Sequence, residues 1–156
     1  MASRALAPTQ DWLQLDRQLC FALYSSSIAM TRVYQPLLAP LNLTYPQYLA
    51  MLALWETDRL SVGDLGRRLS LDSGTLTPLL KRLEQAGWVT RTRDAADERR
   101  VLVTLTKSGC ALRARARGIP KSMLSATGCS TGEVGALTTQ LQRLRDRLLS
   151  SLPEVA

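Results

Sequence analysis

Three cysteines, four tyrosines and no histidine make up the reactive inventory of this 156-residue chain. A cysteine thiolate attacks hydroperoxides, becoming a sulfenic acid that a second thiol traps as a disulfide. Without histidine, imidazole metal sites and Ser-His or Cys-His nucleophile pairs are excluded, and most hydrolase chemistry goes with them. No metal or cofactor is expected. Cys20, Tyr24, Ser27, Thr31 and Tyr34 recur at spacings of four, three, four and three, so they share one stripe of a helix. Tyrosine hydroxyls can donate to a thiolate and favour its ionised form. Arg17 is a positive neighbour at three residues, opposed by Asp16 at four.

Cys20 and Tyr34 are fourteen residues apart, roughly 21 Å along a helix at 1.5 Å per residue. Tyr34 therefore cannot reach the thiol of its own chain. It can reach the thiol of a second copy if two such helices pack antiparallel about a two-fold axis. The competing reading is a packed seam, with Cys20 an apolar thiol and the tyrosines boundary residues. Cys129 follows Gly128 in a loop between the last two helices, a mobile place that suits a resolving thiol. Cys110, among Gly109, Ala111 and Leu112 at the start of a helix, reads as packing.

A second group of residues suits a polyanion. Ser73, Thr75 and Thr77 offer hydroxyls to phosphates, and threonine methyls to a thymine methyl, at the front of a helix over Thr75–Ala86. Lys81 and Arg82 follow within reach of phosphates, while Leu76, Leu79, Leu80 and Leu83 form a stripe that anchors the helix. Gly74 precedes it, Pro78 lies in or near its first turn, and Gly87 stops it. Two strand-like runs come next, Trp88–Arg91 and Val101–Leu105, around a charged tip. Arg99 at that tip can enter a minor groove. Asp97 cannot favour phosphate, and pairs with an arginine to stiffen the tip.

The elements that must position these groups are mostly helical. An amphipathic helix runs from about Asp11 to Gln35, ended by Pro36 and Pro40. Tyr45–Pro46 opens a second helix that stops near Asp58, with Leu49, Leu52 and Ala53 facing a core. Ser61 caps a third, carrying Val62, Leu65 and Leu69. Thr106 caps a long helix toward Ile119, where Pro120 ends or kinks it. In the last helix Val134, Leu137, Leu141, Leu144 and Leu148 form nearly a coiled-coil seam, and a seam needs a partner.

The chain is 46% hydrophobic with a formal charge of +7 and a pI near 9.9, which suits one domain with a polyanionic partner better than an enzyme for acidic substrates. No segment has the roughly 18 apolar residues of a membrane span, and Met1–Gln10 lacks a signal-peptide core. A cytoplasmic protein without membrane contact is expected, in which an odd number of cysteines argues against a structural disulfide framework.

Helix, basic hairpin and the tip Asp97-Glu98-Arg99 together resemble the MarR family of bacterial transcription regulators. The resemblance covers almost the whole chain. It implies one winged helix-turn-helix domain over 1–156, mainly α with a small β-hairpin wing. Residues 45–105 would bind operator DNA, and helices over 11–38 and 106–150 would form a homodimer. Leu19-Cys20-Phe21-Ala22-Leu23-Tyr24, Tyr34, Tyr45 and Leu71–Glu84 look like the branch that senses organic hydroperoxides. In that branch the first-helix cysteine is the peroxide-reactive thiol, matching Cys20, and tyrosines matching Tyr34 and Tyr45 hydrogen-bond it from the partner subunit. Cys129 best matches its C-terminal resolving cysteine, although some members cap the sulfenic acid with a small external thiol. The expected function is a repressor that releases its operator when Cys20 is oxidised. Two alternatives remain: a MarR-type repressor that senses a small aromatic ligand at the dimer interface, and a thiol peroxidase. The second lacks the Thr-x-x-Cys arrangement of peroxiredoxins, since Arg17, Lys107 and Ala126 occupy the threonine positions.

Overall fold

A computed structural model describes residues 12–153, so Asp11 and the leader reading of Met1–Gln10 lie outside the described residues. The described chain forms two compact units, one ending at Tyr45 and one starting at Pro46. Its architecture is mainly helical with a small antiparallel sheet.

In the first unit the helix starts later and ends later than its periodicity predicts. A short 3-10 turn at Leu15–Arg17 is followed by extended backbone at Gln18, and helix α1 spans Leu19–Leu38. Pro36 sits inside α1, where it withholds one N–H near the end of the helix without breaking it. Pro40 is also absorbed, into the 3-10 turn Ala39–Leu41. The stop is Asn42, which is left-handed at φ 53° and completes a Schellman pair: Asn42 N–H donates to Ala39 and Leu43 N–H to Leu38.

Helix α2, Tyr45–Glu56, buries Gln47, Tyr48, Ala50, Met51, Ala53 and Leu54. Of the expected core positions only Ala53 is fully inside; Leu49 and Leu52 are half-buried. The two-residue strand β1, Leu60–Ser61, leads into α3, Val62–Leu69, whose cap is Ser61 as predicted, accepting from Asp64 N–H. A second left-handed stop, Ser70 at φ 55°, turns the chain toward α4, Ser73–Gln85.

Helix α4 begins two residues before the expected Thr75, because Asp72 caps it by accepting from Thr75 N–H at 2.8 Å. Gly74 thus lies in its first turn and Pro78 well inside it. Leu76, Leu79, Leu80 and Leu83 are buried, and α4 packs on α3 and on strand β2. Gly87, at φ 82°, closes the helix as predicted.

The wing carries one strand more than expected. Strands β2, Val89–Arg93, and β3, Val101–Leu105, pair from Val89↔Leu105 to Arg93↔Val101, and β1 adds to the far side of β3 in the order β1-β3-β2. Thr106 caps α5, Lys107–Ala116, and donates its hydroxyl to Gly87 C=O at 2.6 Å. A single helix to Ile119 is not formed. The break falls at Arg117–Gly118, and Pro120 occupies the first turn of a new helix, α6, Ile119–Thr127, where a missing N–H costs nothing. Gly128, left-handed at φ 67°, ends α6, and a reciprocal Ser130–Glu133 capping box starts α7, Thr131–Ser150.

Gly109 is the packing residue of α5, not Cys110. A Cβ at Gly109 would lie 2.0 Å from Trp88 C=O, and Gly109 C=O accepts from Trp55 Nε1 at 2.9 Å. Cys110, next in sequence, is exposed.

Candidate nucleic-acid interface and thiol site

Asp72 fixes the front of α4 by accepting the orphan Thr75 N–H, and that bond holds its carboxyl below the usual carboxylate range. Ser73, Thr75, Thr77, Lys81 and Arg82 are all exposed while the leucines between them are buried. Helical spacing sorts them into two rows: Ser73, Thr77 and Lys81 at intervals of four, and Thr75, Pro78 and Arg82 at three and four. The face is thus a row of hydroxyls ending in a cation, beside a second row with an apolar ring at its centre.

The wing tip is ordered by its acids. Asp97 accepts from Arg99 N–H and Nε, both at 3.1 Å, and Asp94 accepts from Ala96 N–H at 2.9 Å. The Arg99 bonds keep the Asp97 carboxyl low. Arg99 nevertheless remains 91% exposed, so its pairing steers the guanidinium outward without burying it. Between the wing, α3 and α4 lies a cleft of about 660 Å³, with Thr77, Arg91, Arg99 and Arg100 on its walls.

Two further contacts were not foreseen. Glu84, near the end of α4, accepts from Arg91 N–H at 2.9 Å, from Nε at 3.0 Å and from Nη2 at 2.8 Å. Asp64, in the first turn of α3, accepts from the Ser61 hydroxyl at 2.6 Å and meets Arg100 at 3.5 Å. Arginine bonding lowers the Glu84 carboxyl; the Ser61 hydroxyl is the main cause for Asp64. Nothing in helical or strand periodicity signals either contact, since each joins a helix to a strand or its tip.

The thiol residues are placed as follows. Cys20 is the second residue of α1 and is exposed. The same helix exposes Leu19, Tyr24, Ile28, Met30 and Val33, so the thiol stands in an uncovered apolar surface. Tyr34 and Tyr45 come together within one chain, their ring centroids 4.5 Å apart and their planes inclined by 30°. Burial raises the Tyr45 hydroxyl above its ordinary value, keeping it a hydrogen-bond donor. Tyr24 is 66% exposed and lies apart from that ring pair along the helix. Cys129 is exposed in the α6–α7 connection, with its thiol 3.5 Å from Thr127 C=O.

The sequence profile of the MarR family matches residues 43–101, the stretch from the start of α2 to the start of β3. The organic hydroperoxide resistance transcriptional regulator of Bacillus subtilis (strain 168) is 49% identical over 138 residues, covering 88% of this chain and 94% of that one. The chain belongs to the MarR family. MarR regulators are DNA-binding proteins without catalytic turnover, which sets aside the thiol peroxidase alternative. Two solved forms of the regulator AbfR, a protein of Staphylococcus epidermidis, share this MarR fold. Reduced AbfR bound to DNA is 35% identical, with a TM-score of 0.73 over 86% of this chain and 94% of that one. The disulfide form of AbfR is 37% identical, with a TM-score of 0.58 over 83% of this chain and 91% of that one. None of the described helices is long and apolar enough to cross a membrane.

Proposed function

We propose that this MarR member is a homodimeric repressor that holds its operator while Cys20 is reduced and releases it when an organic hydroperoxide oxidises that thiol. The observation that carries the reading is the exposure of Cys20 on a helix that is itself uncovered and apolar. A thiol there is reachable by an alkyl hydroperoxide and lies where a second copy would pack. Helix α1 and helices α5 to α7 supply that pairing, and residues 45–105 the contact with DNA. Ser73, Thr75, Thr77, Lys81 and Arg82 enter or flank the major groove, and Arg99 meets the minor groove with Asp97 behind it.

The Cys20 thiolate attacks one peroxide oxygen; an S–O bond forms, the O–O bond breaks, and the alkoxide takes a proton to leave as an alcohol. The sulfenic acid condenses with the Cys129 thiol of the other subunit, forming S–S and releasing water. Tyr34 and Tyr45 donate toward the Cys20 sulfur across the dimer, with Tyr24 at its edge. The existence of AbfR in reduced DNA-bound and disulfide forms supports a redox-controlled hold on DNA. Two recognition helices must reach grooves about 34 Å apart, so a shift of a few ångströms between subunits breaks the match.

The test is a footprint on the protein's own promoter region with and without cumene hydroperoxide. Reduced protein should protect the site and oxidised protein should not, while Cys20→Ser should stay bound under oxidant. Continued protection by the oxidised wild type would sink the reading. Release of Cys20→Ser by an aromatic ligand but not by peroxide would favour the ligand sensor.

A further inference from the structure

The wing carries four arginines, Arg91, Arg93, Arg99 and Arg100, and the structure does not use them alike. Arg91 is only 25% exposed and makes a three-bond contact with Glu84 of α4. Arg100 lies between Asp64 of α3 at 3.5 Å and Asp94 of the hairpin at 3.9 Å. Arg99 is 91% exposed, and Arg93 is exposed with one nitrogen 3.3 Å from Glu98 C=O.

We propose that Glu84 and Asp64 are positioning residues for DNA recognition, clamping the wing to both helices of the helix-turn-helix through Arg91 and Arg100. The phosphate and groove work of the wing is left to Arg93 and Arg99. The inference rests on the reading of α4 and the wing as the DNA contacts. Its physical basis is mechanical. Antiparallel pairing fixes the hairpin internally, yet β1 is two residues long and reaches β3 through only two register pairs, Leu60↔Val103 and Ser61↔Leu102, leaving Val101 and the tip beyond it without a ladder partner on that side. The angle between tip and recognition helix therefore depends on side-chain ties. A carboxylate that receives a backbone N–H and a guanidinium fork from one arginine sets position and orientation together. The Asp64 contact joins residues thirty-six apart in sequence and secures the tip end, on the other side of the cleft. A recognition helix and a wing that enter different grooves must keep a fixed spacing, so loosening the clamp costs operator affinity and leaves unspecific backbone attraction intact.

The experiment measures binding of the reduced full-length protein to its promoter duplex and to an unrelated duplex by fluorescence anisotropy over a salt series. Glu84→Gln, Asp64→Asn and Arg91→Gln should each weaken promoter binding about threefold to tenfold. They should leave the unrelated duplex and the salt slope unchanged. Arg99→Ala should weaken both duplexes and lower the slope by about one. Arg91→Lys keeps the charge but loses the fork, and should behave like Arg91→Gln; the swap Glu84→Arg with Arg91→Glu should restore part of the loss. The proposal is overturned if Arg91→Lys keeps full promoter affinity, if Arg91→Gln lowers the slope as Arg99→Ala does, or if Glu84→Gln binds the promoter like the wild type. Failure of the reduced wild type to prefer its promoter would sink the proposed function instead.

Discussion

Helices α4 and α7 are both leucine-rich and both periodic, yet they treat their leucines in opposite ways. All four leucines of the α4 stripe are buried, at 0–8% exposure, under α3 and the wing. Helix α7 has no buried residue over its length, and its seam leaves Leu137 at 53%, Leu141 at 38% and Leu148 at 56% exposure. The polar groups differ in the same sense. Around α4 the acids Asp64 and Glu84 are tied to other segments of the chain, through Arg100 and Arg91, while Asp72 caps α4 itself. Among the described residues, the α7 acids Glu133 and Asp146 bond within their own helix and its cap. A stripe that finds its cover within the chain builds a domain. A stripe that does not leaves apolar surface uncovered, and in the proposed dimer α7 and α1 offer that surface to the second copy.

The sharpest way to break this contrast is to delete one leucine from each helix. Leu80→Ala empties a fully buried site and should lower unfolding free energy by about 2–5 kcal/mol, with the same loss at every protein concentration. Denaturant melts at micromolar and hundred-micromolar protein check it. A loss that disappears at high concentration would move Leu80 from the domain core to the subunit interface.

Leu141→Ala should act through association. The expected cost is about 1.4 kcal/mol, a roughly tenfold weaker dimer, seen by analytical ultracentrifugation as more monomer at low concentration. Its effect on melting should shrink as protein concentration rises. An unchanged dimer constant would show that the α7 seam faces water in the assembled protein.

How far the sequence foretold each region follows from the range of the forces involved. The leucine stripe of α4, the Ser61 and Thr106 caps and the Gly87 stop are local patterns, and all were legible. Asn42 and Ser70 stop helices without glycine: asparagine tolerates the left-handed region but was masked by the prolines around it, whereas serine at Ser70 gave no warning. Asp72 starts α4 early because a cap three residues before Thr75 outweighs the glycine between them. Strand β1, with two residues, is too short for any alternation to be read. The role of Gly109 depends on where the Trp88 carbonyl lies, which only the fold decides. The tyrosine stripe of α1 was visible as periodicity, whereas the Tyr34–Tyr45 ring pair joins two elements and was not.

Acid offers the mildest test of the same contrast, because the groups it reaches lie mainly around α4 and the wing. Hydrogen bonds depress the Asp72, Glu84 and Asp97 carboxyls, from Thr75, Arg91 and Arg99 respectively, and the Ser61 hydroxyl depresses Asp64. A carboxyl lower in the folded than in the unfolded chain contributes stability above its unfolded value, about 3.9 for Asp and 4.3 for Glu. That contribution is lost as pH falls through the folded value. With no histidine in the chain, these groups leave stability flat from about pH 5 to 7, and the decline sets in as pH falls below about 5 through the unfolded carboxyl values. The α7 cap should weaken in the same window, since Ser130 N–H depresses Glu133, but that bond secures only one helix end. Protonating Glu84, by contrast, should release the wing from the recognition helix, and protonating Asp64 should release it from α3, while the buried leucines still hold α4 in place. Promoter affinity should therefore fall at a higher pH than the thermal midpoint does. Anisotropy and melting curves from pH 7 to 3.5 compare the two, and coincident declines would mean that the wing has no independent freedom to lose.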